Sequence, residues 1–183
     1  MTTRAELLDH AIAVLRRGDV LTLDALAAES GLTKAGVVHH VSTKEGLMSA
    51  VVDHIIDGWE NDLHQLAGPD ADGATRLRAY VEHALTGAFD ASDLAVLADP
   101  HLRERMRTQW ITRLMPWLGT PAQSGRRPVG ELAARLLADG AWFNEALGVP
   151  VLEDAEREPV RRLALALLAG DGELDGALQE GDS

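Results

Sequence analysis

The sequence predicts an all-α chain of about nine helices, and three observations carry that expectation. Alanine and leucine dominate the apolar residues, which make up 46% of 183, while strand-favouring runs of valine, isoleucine, threonine and aromatics are scarce. Apolar residues recur at three- and four-residue spacing, the period of a helix with one buried face. Glycine, proline and small polar residues fall between those stretches, where helices stop and start.

Taken in order, residues 3–17 form a first helix with Leu8, Ala11, Ile12 and Leu15 on one stripe, and Gly18 stops it. Thr22 is a good N-cap for a second helix, whose Leu23, Leu26 and Ala27 face inward, and Gly31 ends it. Thr33 then caps a third, from about Lys34 to His40. A fourth runs from about Glu45 to Leu66; Ser42 with Glu45 has capping-box spacing, and Thr43 is an equally good cap one residue later. Gly68-Pro69-Asp70 breaks the chain before a fifth helix over 73–88. A sixth spans about 91–98, a seventh 100–118, an eighth 129–147 and a ninth 155–169. Residues 119–128 read as a mobile loop, and the Gly- and acid-rich tail from Gly170 as a fraying end.

Composition excludes several functions. With no cysteine there is no disulfide framework and no thiolate metal site. The first seventeen residues are broken by Glu6, Asp9 and His10, unlike a secretion signal, and no apolar run is long enough to span a membrane. A cytoplasmic protein is expected. The net charge of −12 argues against nucleic acid until its distribution is read. Residues 1–47 set five basic side chains (Arg4, Arg16, Arg17, Lys34, Lys44) against six acidic ones, and these include both lysines of the chain. The acid belongs to the remainder, so DNA contact is permitted at one end only.

At 100° per residue Val37 and Val41 share the inward face of the third helix, leaving Ala35, Gly36, Val38 and His39 on its outer surface. Small residues there let a backbone approach a base edge or a phosphate. Spacing leaves two readings open: a helix-turn-helix over Thr22–Leu47, or a three-helix bundle with a solvated third helix. His39 and His40 point about 100° apart and cannot share a metal ion. No phosphate loop, nucleophile elbow or zinc motif is present, so neither an enzyme, a cofactor nor a metal site is expected.

The segment GLTKAGVVHHVSTKEGL, Gly31–Leu47, resembles the N-terminal signature of the tetracycline-repressor (TetR) family of bacterial transcription regulators. That signature has a Gly-hydrophobic-Ser/Thr turn, a short recognition helix ending near His-His, and a Ser-Lys-Glu-x-Leu-like start to the fourth helix. The specific match covers about 1–55; the rest agrees in length and helical character. The resemblance implies a DNA-binding domain over 1–47 and an effector-binding and dimerisation domain over 48–183. It places Thr22 at a phosphate, Thr33 and Lys34 at the opening of the recognition helix, Ala35, Gly36 and His39 toward the groove, and Lys44 as the phosphate-binding lysine. Val38 stands where relatives commonly have a phosphate-bonding tyrosine, and Val41 where they have phenylalanine.

The implied partners are a palindromic operator in double-stranded DNA, a small-molecule effector and a second copy of the chain. An effector pocket would draw on Trp59, Tyr80, Met106, Trp110 and Met115, with His83, Gln109 and Asn144 as polar groups; each large side chain also reads simply as core filling. The eighth and ninth helices resemble the family's dimerisation pair, with Leu136, Leu137, Trp142, Phe143, Leu147, Leu163, Leu167 and Leu168 as candidates that sequence cannot sort between partner and core. The implied function is a ligand-responsive homodimeric regulator, usually a repressor. The alternative is a helical small-molecule-binding or scaffold protein with a degenerate DNA-binding head.

Overall fold

The structure, a computed structural model, describes residues 2–95, 100–119, 127–149 and 151–170. Among these the chain forms nine α-helices and no strand. They are α1 (Arg4–Arg16), α2 (Leu23–Ser30), α3 (Lys34–His40), α4 (Lys44–Ala67), α5 (Gly73–Thr86), α6 (Ala91–Ala95), α7 (Pro100–Gln109), α8 (Val129–Ala146) and α9 (Asp154–Ala169). The end of the expected sixth helix, most of the expected 119–128 loop and the tail beyond Gly170 lie outside the described residues. Among the described residues no helix is long and apolar enough to cross a membrane.

By internal packing the chain divides into two compact units. The first comprises Met1–Trp59, Phe89–Arg113 and Ala146–Gly148. Its α1 opens on a capping box in which the Thr3 hydroxyl accepts from the Glu6 N–H and the Glu6 carboxylate accepts from the Thr3 N–H, satisfying two of the end's orphan donors. The inward stripe of α1 is broader than Leu8, Ala11 and Leu15, taking in Leu7 and Val14, while Ile12 is only half-buried. Two residues per turn on adjoining rows give α1 a face wide enough for two neighbours, and it packs on both α2 and α6. Leu26 of α2 and Val37 of α3 are wholly buried at the turn between those helices. Burial of one such side chain contributes about 1.5–3 kcal/mol. At the start of α4 the Thr43 hydroxyl accepts from the Gly46 N–H, so the cap lies one residue beyond Ser42 and Lys44 opens the helix.

The second unit comprises Glu60–Ala88, Leu114–Glu145 and Val149–Ser183. Asp72 caps α5 through the Thr75 N–H, and Leu77, Tyr80, Val81, Ala84 and Leu85 form its buried face. α5 packs against α9, at whose start the Glu156 carboxylate accepts from the Glu153 N–H at 2.9 Å.

One element departs from the sequence expectation. The stretch 100–118 is not a single α-helix: α7 ends at Gln109, Trp110–Leu114 winds as a π-helical turn and Met115–Trp117 as a 3₁₀ turn. Pro116 supplies the reason. It has no N–H for the carbonyl four residues back and its ring crowds that carbonyl, so the α ladder cannot run through it.

Candidate nucleic-acid interface

The interface over Thr22–Leu47 is assembled from three threonine caps. The Thr22 hydroxyl accepts from the Ala25 N–H at 3.0 Å, Thr33 from Gly36 at 3.1 Å and Thr43 from Gly46 at 2.9 Å. Each cap satisfies an orphan donor and fixes where its helix begins. Each hydroxyl keeps its own hydrogen to donate, and Thr33 and Thr43 are exposed. Gly31, at φ 68°, turns the chain between α2 and α3 through the left-handed region that glycine enters freely.

The turn aims α3. Val37 and Val41 are buried, whereas Thr33, Lys34, Ala35, Val38 and His39 are exposed and Gly36 is half-buried; Ala35, Val38 and His39 make the outward side. A methyl added at Gly36 would meet the Thr33 hydroxyl at 3.4 Å and the Leu32 Cβ at 3.6 Å, ordinary contact distances. The head's own packing therefore does not require glycine there, although glycine costs a helix about 1 kcal/mol relative to alanine. The rings of His39 and His40 meet edge to face at 5.6 Å.

The electrostatics of the head contain a feature that spacing did not reveal. Lys34 Nζ lies 2.9 Å from Asp24 on α2, and both side chains are exposed. Arg17 holds Glu29 at 2.6 Å and Asp19 at 3.3 Å. The hydrogen bond from Arg17 holds the Glu29 carboxyl below the usual carboxylate range. Arg16 pairs with Asp90. Three of the five basic side chains of 1–47 thus already face carboxylates; Arg4 and Lys44 have no such partner among the described residues. The acids involved lie two to seventy-four residues away in sequence, outside any helical period, so no local pattern marks them.

The residues named for an effector pocket divide between the units. In the first, the Trp59 indole donates to Asp93 at 3.2 Å and its ring meets Phe89 at 5.9 Å and Trp110 at 5.5 Å, both edge to face. Burial pushes the Asp93 carboxyl above its ordinary range. Gln109 donates to Asp53 at 3.0 Å, and Met106 is buried. In the second unit the Tyr80 hydroxyl donates to Asp139 of α8, and burial, with the Asp139 charge, pushes the phenol well above its usual range. Burial lowers His83, against the opposing pull of the Asp62 charge. Asn144 donates to the Gly140 carbonyl, and Met115 is half-buried in the 3₁₀ turn. The second unit carries an open groove of about 260 Å³ beside Leu77, Arg78, Glu131 and Leu165, and another of about 460 Å³ beside Glu145, Arg157 and Arg161. Tyr80, His83, Met115 and Asn144 line neither. Among the described residues no cluster of three His, Asp or Glu is placed to hold a metal ion.

The dimerisation candidates separate by exposure. Leu136 is 70% exposed, Leu163 55% and Phe143 42%, whereas Trp142, Leu167 and Leu168 are half-buried. Leu132, also exposed, extends the α8 stripe through Leu136 and Phe143 at four- and seven-residue spacing, and Leu147, just past the end of the helix, is exposed as well.

Comparison with known proteins bears on all of this. The tetracyclin repressor-like C-terminal domain matches residues 74–169, just over half of the chain. That stretch holds α5 to α9, where the residues alone matched only in length and helical character. Among solved structures the chain is similar to a TetR family member from Streptomyces coelicolor A3, at 24% identity and TM-score 0.59 over 91% of this chain and 98% of that one. It is also similar to the multidrug binding protein EbrR in complex with imidazole, at 24% identity and TM-score 0.52 over 89% and 96%. No curated protein matches it by sequence. The domain match, on an all-helical fold shared with these structures, identifies the chain as a member of the TetR family of transcription regulators.

Proposed function

We propose that the chain is a homodimeric repressor that holds a palindromic operator and lets go when a small molecule binds. Residues 1–47 supply the DNA-binding part and 48–183 the effector-binding and dimerising part. The observation that carries the reading is the two-sided α3: Val37 and Val41 anchor it, and the opposite face offers small, apolar and imidazole groups to a major groove. In a dimer the two α3 helices would enter successive grooves about 34 Å apart. The exposed hydroxyls of Thr33 and Thr43 and the ammonium of Lys44 would take phosphates, which fix position without reading sequence.

The effector acts by choosing between arrangements of the two heads. A molecule that binds the non-fitting arrangement more tightly lowers the fraction able to hold DNA by that ratio of affinities. The row of exposed leucine and phenylalanine on α8, with the exposed Leu163 on α9, supports self-association, because such a stripe is costly to leave in water. EbrR, a multidrug binding protein of the same fold, supports a cavity for a small organic molecule in this chain as well.

An electrophoretic shift on the intergenic DNA upstream of the protein's own gene tests the reading. A shift at low salt that weakens steeply with added salt is expected. A folded dimer that shifts no duplex at low salt would leave the effector-binding or scaffold reading in its place. The pairing of Arg16, Arg17 and Lys34 with carboxylates is what favours that second reading.

A further inference from the structure

The outward arc of α3 is poor in hydrogen-bonding groups. At 100° per residue Ala35, Val38 and His39 fall within about 100° of one another, opposite the buried Val37 and Val41. Two of those three side chains offer only methyl groups. Lys34, the one long cationic side chain on the helix, lies off this arc and is held by Asp24. Val38 is 39% exposed, in a seven-residue helix that already contains a glycine and gains nothing in helix propensity from a β-branched side chain.

In the major groove the edges of three bases present only donors and acceptors. Thymine alone adds an apolar group, its C5 methyl. A valine facing a guanine or adenine edge would strip water from N7 and O6 or N6 and return no hydrogen bond, which penalises those bases. A valine facing a thymine methyl buries apolar surface on both sides. We propose that Val38, with Ala35 one turn before it, reads the C5 methyls of thymine in each half-site, so that operator choice rests on methyl contacts in place of bidentate hydrogen bonds. The proposal rests on the DNA-binding reading above and assigns the chemistry of the base contact within it. Val38 is then a specificity-determining residue, and the position gains a base contact where a tyrosine would have gripped a phosphate.

The test begins with half-sites enriched by the wild-type protein from a pool of random-sequence duplex DNA. Each thymine is then replaced by deoxyuridine, which removes the methyl and leaves every hydrogen-bonding atom in place. Burial of a methyl-sized group corresponds to about fourfold in affinity, so at one or two positions deoxyuridine should weaken binding about fourfold in one half-site and about fifteenfold in both. In Val38→Ala the difference between thymine and deoxyuridine at those positions should shrink to less than about twofold, with the circular dichroism spectrum unchanged. Enriched duplexes that bind equally well with deoxyuridine at every position overturn the inference alone. So does a deoxyuridine loss of the same size in Val38→Ala, since that loss would come from altered duplex shape. If a folded dimer enriches no duplex at all, the DNA-binding reading falls and takes this inference with it.

Discussion

α3 and α8 both leave apolar side chains in water, but on different scales. α3 exposes one valine among a lysine, an alanine and a histidine, on a helix of seven residues capped by Thr33. α8 exposes Leu132, Leu136, Leu137 and Phe143 along eighteen. A short mixed face suits a wet, polar groove where one methyl contact discriminates and phosphates supply most of the grip. A long apolar stripe suits a dry, self-complementary partner, where burial is the driving force. The same residue chemistry thus implies DNA in one place and protein in the other, and what separates them is how many apolar groups lie in register.

The sharpest way to break that contrast is to put a charge in the long stripe. Leu136→Glu would place a carboxylate near the centre of the apolar face in both copies, and self-association should weaken by about 100-fold or more. Sedimentation velocity across a dilution series reads the change. Urea unfolding of the variant under monomeric conditions should be nearly unaltered, because Leu136 is 70% exposed. A variant that dimerises as tightly as wild type would show that the interface lies elsewhere.

The inward side of α8 should behave in the opposite way. Ala134 and Ala138 are wholly buried, and Asp139 accepts the hydrogen bond of the buried Tyr80 hydroxyl. Tyr80→Phe removes that donor and leaves the half-buried carboxylate with the Arg135 guanidinium 3.4 Å away. We expect a loss of about 1–3 kcal/mol in unfolding free energy with self-association per folded chain unchanged. A loss below about 0.5 kcal/mol would mean that water replaces the hydroxyl without cost.

On the DNA side the comparison predicts that grip and selectivity separate. Lys44→Ala should weaken binding to operator and unrelated duplex alike and lower the slope of log affinity against log salt by about 0.9 per head. Binding measured from low to moderate salt on two unrelated sequences decides it. A change in sequence preference with an unchanged slope would move Lys44 from the phosphate to a base.

These contrasts were legible in the sequence to the extent that local chemistry creates them. Gly31 and the caps Thr22 and Thr33 could be named because a cap hydroxyl reaches an N–H three residues on, and a left-handed turn needs glycine. The choice between Ser42 and Thr43 needed coordinates, since either hydroxyl can reach a free N–H. The break of α7 could have been read from Pro116, but the apolar period around it runs on undisturbed and hides the change of winding. The candidates on α8 and α9 were mixed because those helices carry apolar residues on more than one side. Periodicity says that a face is apolar, not which of two faces a partner takes. The ion pairs of the head were invisible for a plainer reason: Asp24 and Lys34 are ten residues apart across a turn.

That last pair gives the smallest and most particular prediction. The ammonium of Lys34 lies against Asp24 with both side chains exposed, so the pair contributes at most about 1 kcal/mol to the fold, and its loss should move the unfolding midpoint little. Its effect on DNA is larger in kind. A carboxylate beside the first residue of α3 offsets the attraction of Lys34 for phosphate and adds repulsion of its own. Asp24→Asn should therefore tighten binding to unrelated duplex by roughly two- to fivefold at low salt, with the gain fading as salt screens it. The preference for the enriched half-site over unrelated DNA should stay the same, because attraction to phosphate strengthens both affinities by the same factor. Fluorescence anisotropy on matched operator and scrambled duplexes measures both quantities. If Asp24→Asn left both affinities untouched at every salt concentration, Lys34 would stand clear of the DNA, and the grip of the head would fall to Lys44 and the threonine hydroxyls.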